Sequence, residues 1–330
     1  MNDNNPNVMI FLATFNGEMF INEQIESIIN QTYQNWVLLI RDDVSTDSTL
    51  LLLKKWQTRD LRIRVLDNFE EPSGSALNNF SRIVSHHNKC EADYYCFCDQ
   101  DDIWIADKLS KSLKLLIEIE NDSGLNRLPA LVHSDLEVID RDFKTINRSF
   151  IAMNRLRPSD ESMPARLLSR NEVTGCTLMC NKALLDIASP IPFDVIMHDW
   201  WLALVASYMG RIRFLDETLV HYRQHSQNVI GAKSFWHGLN PFNNWFIGWR
   251  KGDLEFSRTM QQSAQLYFHL KRKNILSKQK LDEIYSYSQL GTMSIFQRLK
   301  TAINMPIWRT HWLLSMVLFF RLILLPRQNK

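Results

Sequence analysis

Apolar and polar positions alternate along the first part of the chain in blocks of two kinds. Short apolar runs at Val8–Ala13, Trp36–Ile40, Ile63–Leu66 and Asp93–Cys98 read as buried strands. Between them, Glu18–Asn30 carries Ile21, Ile25, Ile28 and Ile29 on one helical face, and Ser75–His87 turns Leu77, Phe80, Ile83 and Val84 inward. Leu50–Trp56 follows the N-cap candidates of Ser45–Thr49, and Asp107–Glu120 is a further helix. This alternation predicts an α/β fold with a mostly parallel sheet, flanking helices and right-handed crossovers.

Beyond Asn121–Arg127 the pattern loosens. Ala130–Ile139 and Val173–Cys180 read as strands, with Phe150–Pro164 a polar, irregular insert. A helix starts at Lys182, Asp199–Met209 is helical, and Arg211–Leu215 and Thr218–Tyr222 are two short strands. From about Ala232 the chain turns helical and aromatic, with Trp236, Phe242, Trp245, Phe246 and Trp249 close together. Two regions are therefore expected, residues 1–231 and a helical appendage over 232–330.

The bulk numbers narrow the class. Of 330 residues, 45% are hydrophobic and 22% charged, an ordinary globular balance. A net charge of +2 argues against a dedicated nucleic-acid binder. The five cysteines form no Cys-x-x-Cys pair, which argues against a zinc site or a disulfide framework and for a reducing cytoplasm. Met1–Asn7 is polar, without the apolar core of a secretion signal. Trp312–Leu325 is shorter than the ~20 apolar residues of a spanning helix, and Arg321 interrupts it. With Arg298, Lys300, Arg309, Arg327 and Lys330 around it, a segment near 307–325 is expected to lie in the surface of an anionic leaflet. Packing on the protein itself, or on a second copy in a homodimer, is the alternative.

The chemistry concentrates at strand ends. Asp99, Asp101 and Asp102 follow the apolar run Tyr94–Cys98. Carboxylates packed there repel one another unless something positive joins them, and a hard divalent cation, Mg²⁺ or Mn²⁺, suits oxygen ligands. A solvated acidic loop capping the next helix is the plainer reading. Asp42-Asp43 follows another strand, so both clusters share one sheet edge if the strands are parallel, where α/β sheets bind ligands. Taken alone it is also a common turn or cap pair. The first strand runs into Ala13-Thr14-Phe15-Asn16-Gly17-Glu18, with no Gly-x-Gly-x-x-Gly, which argues against a dinucleotide site and a P-loop. Asp199 opens an apolar helix, either as its cap or as a general base in a pocket. His221 and His225 flank Tyr222-Arg223-Gln224, where an imidazole could ligate a metal and Arg223 could meet a diphosphate.

Taken in order, these pieces resemble the family 2 glycosyltransferases of GT-A fold, most of all the bacterial branch of rhamnosyltransferases and O-antigen or capsule sugar transferases. Thr14, Phe15, Asn16 and Glu18 look like the first-strand nucleotide loop, and Asp42-Asp43-Val44-Ser45-Thr46-Asp47 like the base-binding Asp-Asp-Gly-Ser-x-Asp motif. Asp99-Gln100-Asp101 looks like the Asp-x-Asp metal motif, Thr174-Gly175-Cys176 like the glycine loop near the acceptor, and His198-Asp199 like the base pair of the family. Tyr222–Asn228 resembles the closing motif whose His reaches the metal or diphosphate. The resemblance spans residues 8–231 and departs twice: Val44 stands for Gly, so the turn is expected to avoid positive φ, and His198 stands for Glu. It implies inverting transfer from a nucleotide-sugar, for which dTDP-rhamnose is one candidate. The acceptor is a hydroxyl of a glycan or lipid-linked glycan, reached from the cytoplasmic face of the inner membrane. Asp199 is the implied base, Asp101, His225 and Asp99 the metal ligands, and Asp42, Asp43, Asp99, Gly175 and Arg223 donor contacts. A sugar nucleotidyltransferase and a non-catalytic membrane scaffold are the rival readings. The single Gly and missing Lys or Arg in Thr14–Glu18 weigh against the first, and the intact Asp99, Asp101, Asp199 and His225 against the second.

Overall fold

The computed structural model describes residues 5–66, 71–87, 92–123, 128–156, 158, 164–225, 245–305, 307–308 and 312–326. The first half alternates as the pattern requires: β1 Val8–Thr14, α1 Ile21–Ile29, β2 Trp36–Asp42, α2 Thr49–Arg59, β3 Ile63–Val65, α3 Ala76–Val84 and β4 Tyr94–Cys98. A short β5, Ile103–Trp104, precedes α4, Lys108–Ser123. Then come β6 Ala130–Ile139, β7 Thr145–Asn147, α5 Phe150–Met153, α6 Pro164–Ser169, β8 Met179–Asn181, α7 Lys182–Ala188, α8 His198–Met209 and β9 Arg211–Arg223. The helices α9 Trp245–Lys273, α10 Lys278–Ser288, α11 Ile295–Asn304 and α12 Trp312–Leu324 complete the described chain.

One nine-stranded sheet runs β3-β2-β1-β4-β8-β6-β9-β5, with β7 on β6. The pairs of β1 with β2 and β4, β2 with β3, and β6 with β9 are parallel. β8 lies antiparallel to both β4 and β6, so six strands point one way. Thr14 pairs with Asp42 and Leu12 with Cys98, which brings the chain out of β1, β2 and β4 at one edge. The strands are apolar on both faces because helices cover both, the signature of a buried parallel sheet.

Three expectations are corrected. Val173–Cys180 is not one strand: a 3-10 turn over Gly175–Thr177 interrupts it, closed by Thr177 N–H on Thr174 C=O at 3.0 Å. The two strands of 211–222 are a single β9, which follows β6 through register shifts at Ser134/Asp135 and Asp135/Glu137. Val44 adopts φ +62° rather than avoiding it. For a β-branched residue that conformation costs on the order of 1–2 kcal/mol, because Cβ crowds the carbonyl.

The C-terminal helices share the main apolar core. Phe256, Met260, Leu266 and Leu270 of α9 pack in the same cluster as Trp201, Leu202 and Leu204 of α8. Leu318, Leu322 and Leu325 are buried there as well, so one face of the last helix is packed on the protein. Its other face leaves Trp312, Met316, Phe319, Phe320 and Leu324 exposed. Two cations expected around it turn inward instead. Arg298 is fully buried and donates to the carbonyls of Leu290, Gly291, Leu322 and Leu325, and Arg321 reaches Asp253 at 3.1 Å. Arg309, Arg327, Lys330, Trp236, Phe242, Ser226–Asn228 and the 231/232 boundary lie outside the described residues, as do the side chains of Trp245, Phe246 and Trp249.

Candidate active site

The loops that follow β1, β2 and β4 are stitched together. Phe15 N–H donates to Gln100 Oε1 at 2.8 Å, and Gln100 Nε2 donates back to Phe15 C=O at 3.0 Å. Gly17 allows this approach, since a Cβ there would come within 2.4 Å of Gln100 Oε1. Asn16 N–H donates to Ser45 Oγ and Asn16 Oδ1 accepts Thr46 N–H, each at 2.8 Å. Glu18 accepts Ser48 N–H at 2.8 Å. Asn16 and Glu18 therefore hold loop shape, while the Phe15 ring stands exposed.

Asp42 and Asp43 differ in what they hold. Asp42 accepts the Thr14 hydroxyl at 2.9 Å, the Ser45 hydroxyl at 2.6 Å and Ser45 N–H at 2.8 Å, all short donors of its own loops. Asp43 accepts the buried Arg41 guanidinium at 2.7 Å, Ser73 N–H at 2.6 Å and the Ser73 hydroxyl at 2.7 Å. Burial works to raise the pKa of Asp43, but these donors outweigh it and hold the carboxyl below its ordinary range. Asp43 thus neutralises Arg41 inside the fold, whereas Asp42 is held by hydroxyls and an N–H alone.

The acidic floor is built differently. Asp101 Oδ2 lies 2.7 Å from His225 Nε2, so these two come together as expected. Asp99 groups instead with Asp102 and Cys176, their ligand atoms all within 4.8 Å of one another. Burial, then the charges of Asp101 and Asp199, push Asp99 up to about 7. Burial, then Asp101 and Asp99, push Asp102 well above its ordinary value. A cation, Lys108, is also enclosed nearby. Its Nζ is fully buried, 3.8 Å above the Trp104 ring, and it acts on the thiols of Cys98 and Cys176, which also feel Asp102.

Asp199 sits in the first turn of α8. Its carboxylate accepts Gly175 N–H at 2.9 Å, Asn171 Nδ2 at 3.2 Å and Trp200 N–H at 2.5 Å. Burial outweighs these donors and raises its pKa to about 7. His198 is stacked against Phe80 at 4.0 Å and Phe97 at 5.0 Å, and burial lowers its pKa to about 3, so it is neutral. A Cβ on Gly175 would lie 2.9 Å from His198 Nε2, which explains a glycine there. Gly175 orients the Asp199 carboxylate through its N–H. Asp199 lies near enough to Asp99 for its charge to raise that carboxyl's pKa.

Arg223 is placed otherwise than expected. Its guanidinium is buried, paired with Glu23, and donates to the backbone carbonyls of Asp101 at 3.2 Å and Arg141 at 3.0 Å. It braces the Asp101 loop from behind, between the rings of Phe20 and Phe143, rather than facing a diphosphate. Pattern reading missed Gln100, Asn171 and Lys108. Gln100 could have been suspected from its place between two motif carboxylates; Asn171 and Lys108 carry no such signal.

Residues 9–129 match the family model Glycosyl transferase family 2. The chain is 28% identical over 230 residues to dTDP-rhamnosyl transferase RfbG of Shigella flexneri, covering 67% of this chain and 74% of that one. It is 27% identical over 201 residues to UDP-Glc:alpha-D-GlcNAc-diphosphoundecaprenol beta-1,3-glucosyltransferase WfgD of Escherichia coli, covering 60% and 68%. In structure it is similar to S. aureus TarS 1-349 in complex with UDP-GlcNAc, with a TM-score of 0.57, 14% identity, and coverage of 91% and 80%. It spans 43% of a longer TarS chain, with a TM-score of 0.53, and at such identities the likeness speaks for the fold. Residues 9–129 thus form a family 2 glycosyltransferase domain within a GT-A fold, and the chain that carries it is a glycosyltransferase.

Proposed function

We propose that this enzyme moves a sugar, with inversion, from a thymidine-diphosphate donor such as dTDP-rhamnose to a hydroxyl of a lipid-linked glycan. The observation that carries the reading is Asp199: a buried carboxylate, held by Gly175 N–H and Asn171, with a pKa near 7 and close enough to Asp99 to act on its charge. A base with that pKa is half ionised near neutral pH, where it both accepts and releases a proton readily. Asp199 takes the proton of the acceptor hydroxyl as that oxygen attacks the anomeric carbon from the face opposite the diphosphate. Gly175 N–H and Asn171 hold the carboxylate in one orientation meanwhile. Phe15 offers an exposed ring for the base to stack on, and Asp42 an acceptor for its N–H.

The donor set of the floor fits a hard cation: carboxylates that raise one another's pKa, with an imidazole 2.7 Å from one of them. Asp101 and His225, with Asp99 beside them, are the residues that would hold Mg²⁺ or Mn²⁺. When bound, such an ion neutralises the charge that grows on the leaving diphosphate. The name of RfbG supports the thymidine donor, and that of WfgD supports a diphosphoundecaprenol-linked acceptor.

Among the described residues no helix is long and apolar enough to cross a membrane. The exposed face of α12, with Phe296 and Ile303 of α11 and the exposed Lys300, supports peripheral binding at the cytoplasmic face of the inner membrane. Replacing Phe319 and Phe320 by Ser should abolish cosedimentation with anionic vesicles. If it instead converts a dimer to a monomer, that face serves a second copy. The activity test is a panel of dTDP-rhamnose, UDP-glucose and UDP-GlcNAc with a lipid-diphosphate-linked acceptor, with Mn²⁺ or with chelator. Metal-dependent transfer from dTDP-rhamnose is expected; turnover of a UDP-sugar alone replaces the donor, and no turnover of any rejects the reading.

A further inference from the structure

Five non-glycine residues among those described have positive φ: Asn16, Val44, Phe143, Arg155 and Asn274. Asparagine tolerates that region. Phe143 uses the geometry to lay its ring against Arg223 at 4.5 Å. Val44 is the β-branched member, for which the conformation is most strained. The strain is not offset by packing, since Val44 is 38% exposed and lies outside both apolar core clusters. A residue kept in a strained conformation, with its methyl groups in the open, points to a function for those methyls.

Its position suggests which. Val44 follows Asp42 and Asp43 directly and precedes Ser45, whose N–H and hydroxyl both bind Asp42. On the other side of Asp42, Thr14 ties in the β1 loop that carries the exposed Phe15. The outward apolar groups beside Asp42 are thus an aromatic ring and an isopropyl group. We infer that Val44 reads the 5-position of the donor's pyrimidine, packing against the methyl group that distinguishes thymine from uracil. The inference rests on the nucleotide-sugar reading above and decides between its two pyrimidines. With Asp42 accepting the ring N–H, the carbonyl and the 5-substituent follow along the same edge of the base. An apolar contact there gains from a methyl and gains nothing from a hydrogen.

The experiment titrates wild type, Val44→Ala and Val44→Gly calorimetrically with dTDP and dUDP in Mn²⁺, a pair that differs by that methyl alone. Burying one methyl group should favour dTDP about fourfold in the wild type. The ratio should fall to near one in Val44→Gly and lie between in Val44→Ala. Val44→Gly should also unfold cooperatively, with Tm raised by up to roughly 2 °C as the relieved strain exceeds the entropic cost of Gly, which shows that the variant is folded. Binding of both nucleotides with the same ratio in wild type and Val44→Gly overturns the inference and leaves the donor reading standing. Wild-type protein that binds neither nucleotide overturns both.

Discussion

Two groups of aspartates stand at the same edge of one sheet, and the fold treats them in opposite ways. Asp43 and Asp47 are supplied with donors: Arg41 and Ser73 for the first, Thr49 and the Glu18 N–H for the second. Burial works against both, yet both end below the ordinary carboxylate range. Asp99, Asp102 and Asp199 are buried with too little to offset it, and all three end above. Residue type is the same in both groups. What separates them is whether the donors and charges the fold supplies outweigh burial. Where they do, the carboxylate is part of the scaffold; where they do not, the carboxylate is poised to take up a proton or a cation.

The largest effect should come from the group whose pKa is raised. Asp199→Asn should slow transfer by ~10³ in single-turnover assays while the donor Kd stays unchanged. A rate within tenfold of wild type would remove Asp199 from the chemistry. The scaffold group should respond in stability instead. Asp43→Ala strands the buried Arg41 and should cost about 3 kcal/mol in urea unfolding. If catalysis rather than stability suffers, the division between the two groups is wrong.

Acidity sharpens the contrast. Asp99 and Asp199 have folded pKa values near 7, above those of the unfolded chain. Each therefore contributes stability that is complete below about pH 4 and is lost as pH rises through 7, on the order of 1 kcal/mol per pH unit for the ligand-free protein. Asp43 and Asp47 have lowered values, so their contribution is present above about pH 4 and lost on further acidification. Asp99→Asn should flatten the first slope in pH-dependent unfolding and leave the second alone. The smallest effect is expected at Asp47→Ala, about 1 kcal/mol for hydrogen bonds at a half-exposed turn.

The sequence pattern carried the α/β alternation because each buried strand and each helical face leaves its own period. It carried the ordered motifs for the same reason: they sit at strand ends, where pattern and chemistry coincide. It did not carry the geometry that depends on distant partners. Arg223 looked like a phosphate ligand until Glu23 and two backbone carbonyls claimed it. Asp42 and Asp43 look equivalent in the chain, and only Ser73 and Arg41 tell them apart. The 3-10 turn at Gly175 follows from Asp199 reaching back 24 residues for its N–H, a constraint no local propensity expresses.

Lys108 has a consequence of its own. Its ammonium group is enclosed against the Trp104 ring, and its charge works against burial at the Cys98 and Cys176 thiols. Under the proposed function, chelation should stop transfer while leaving Tm unchanged, which turnover and thermal unfolding measured with EDTA would check.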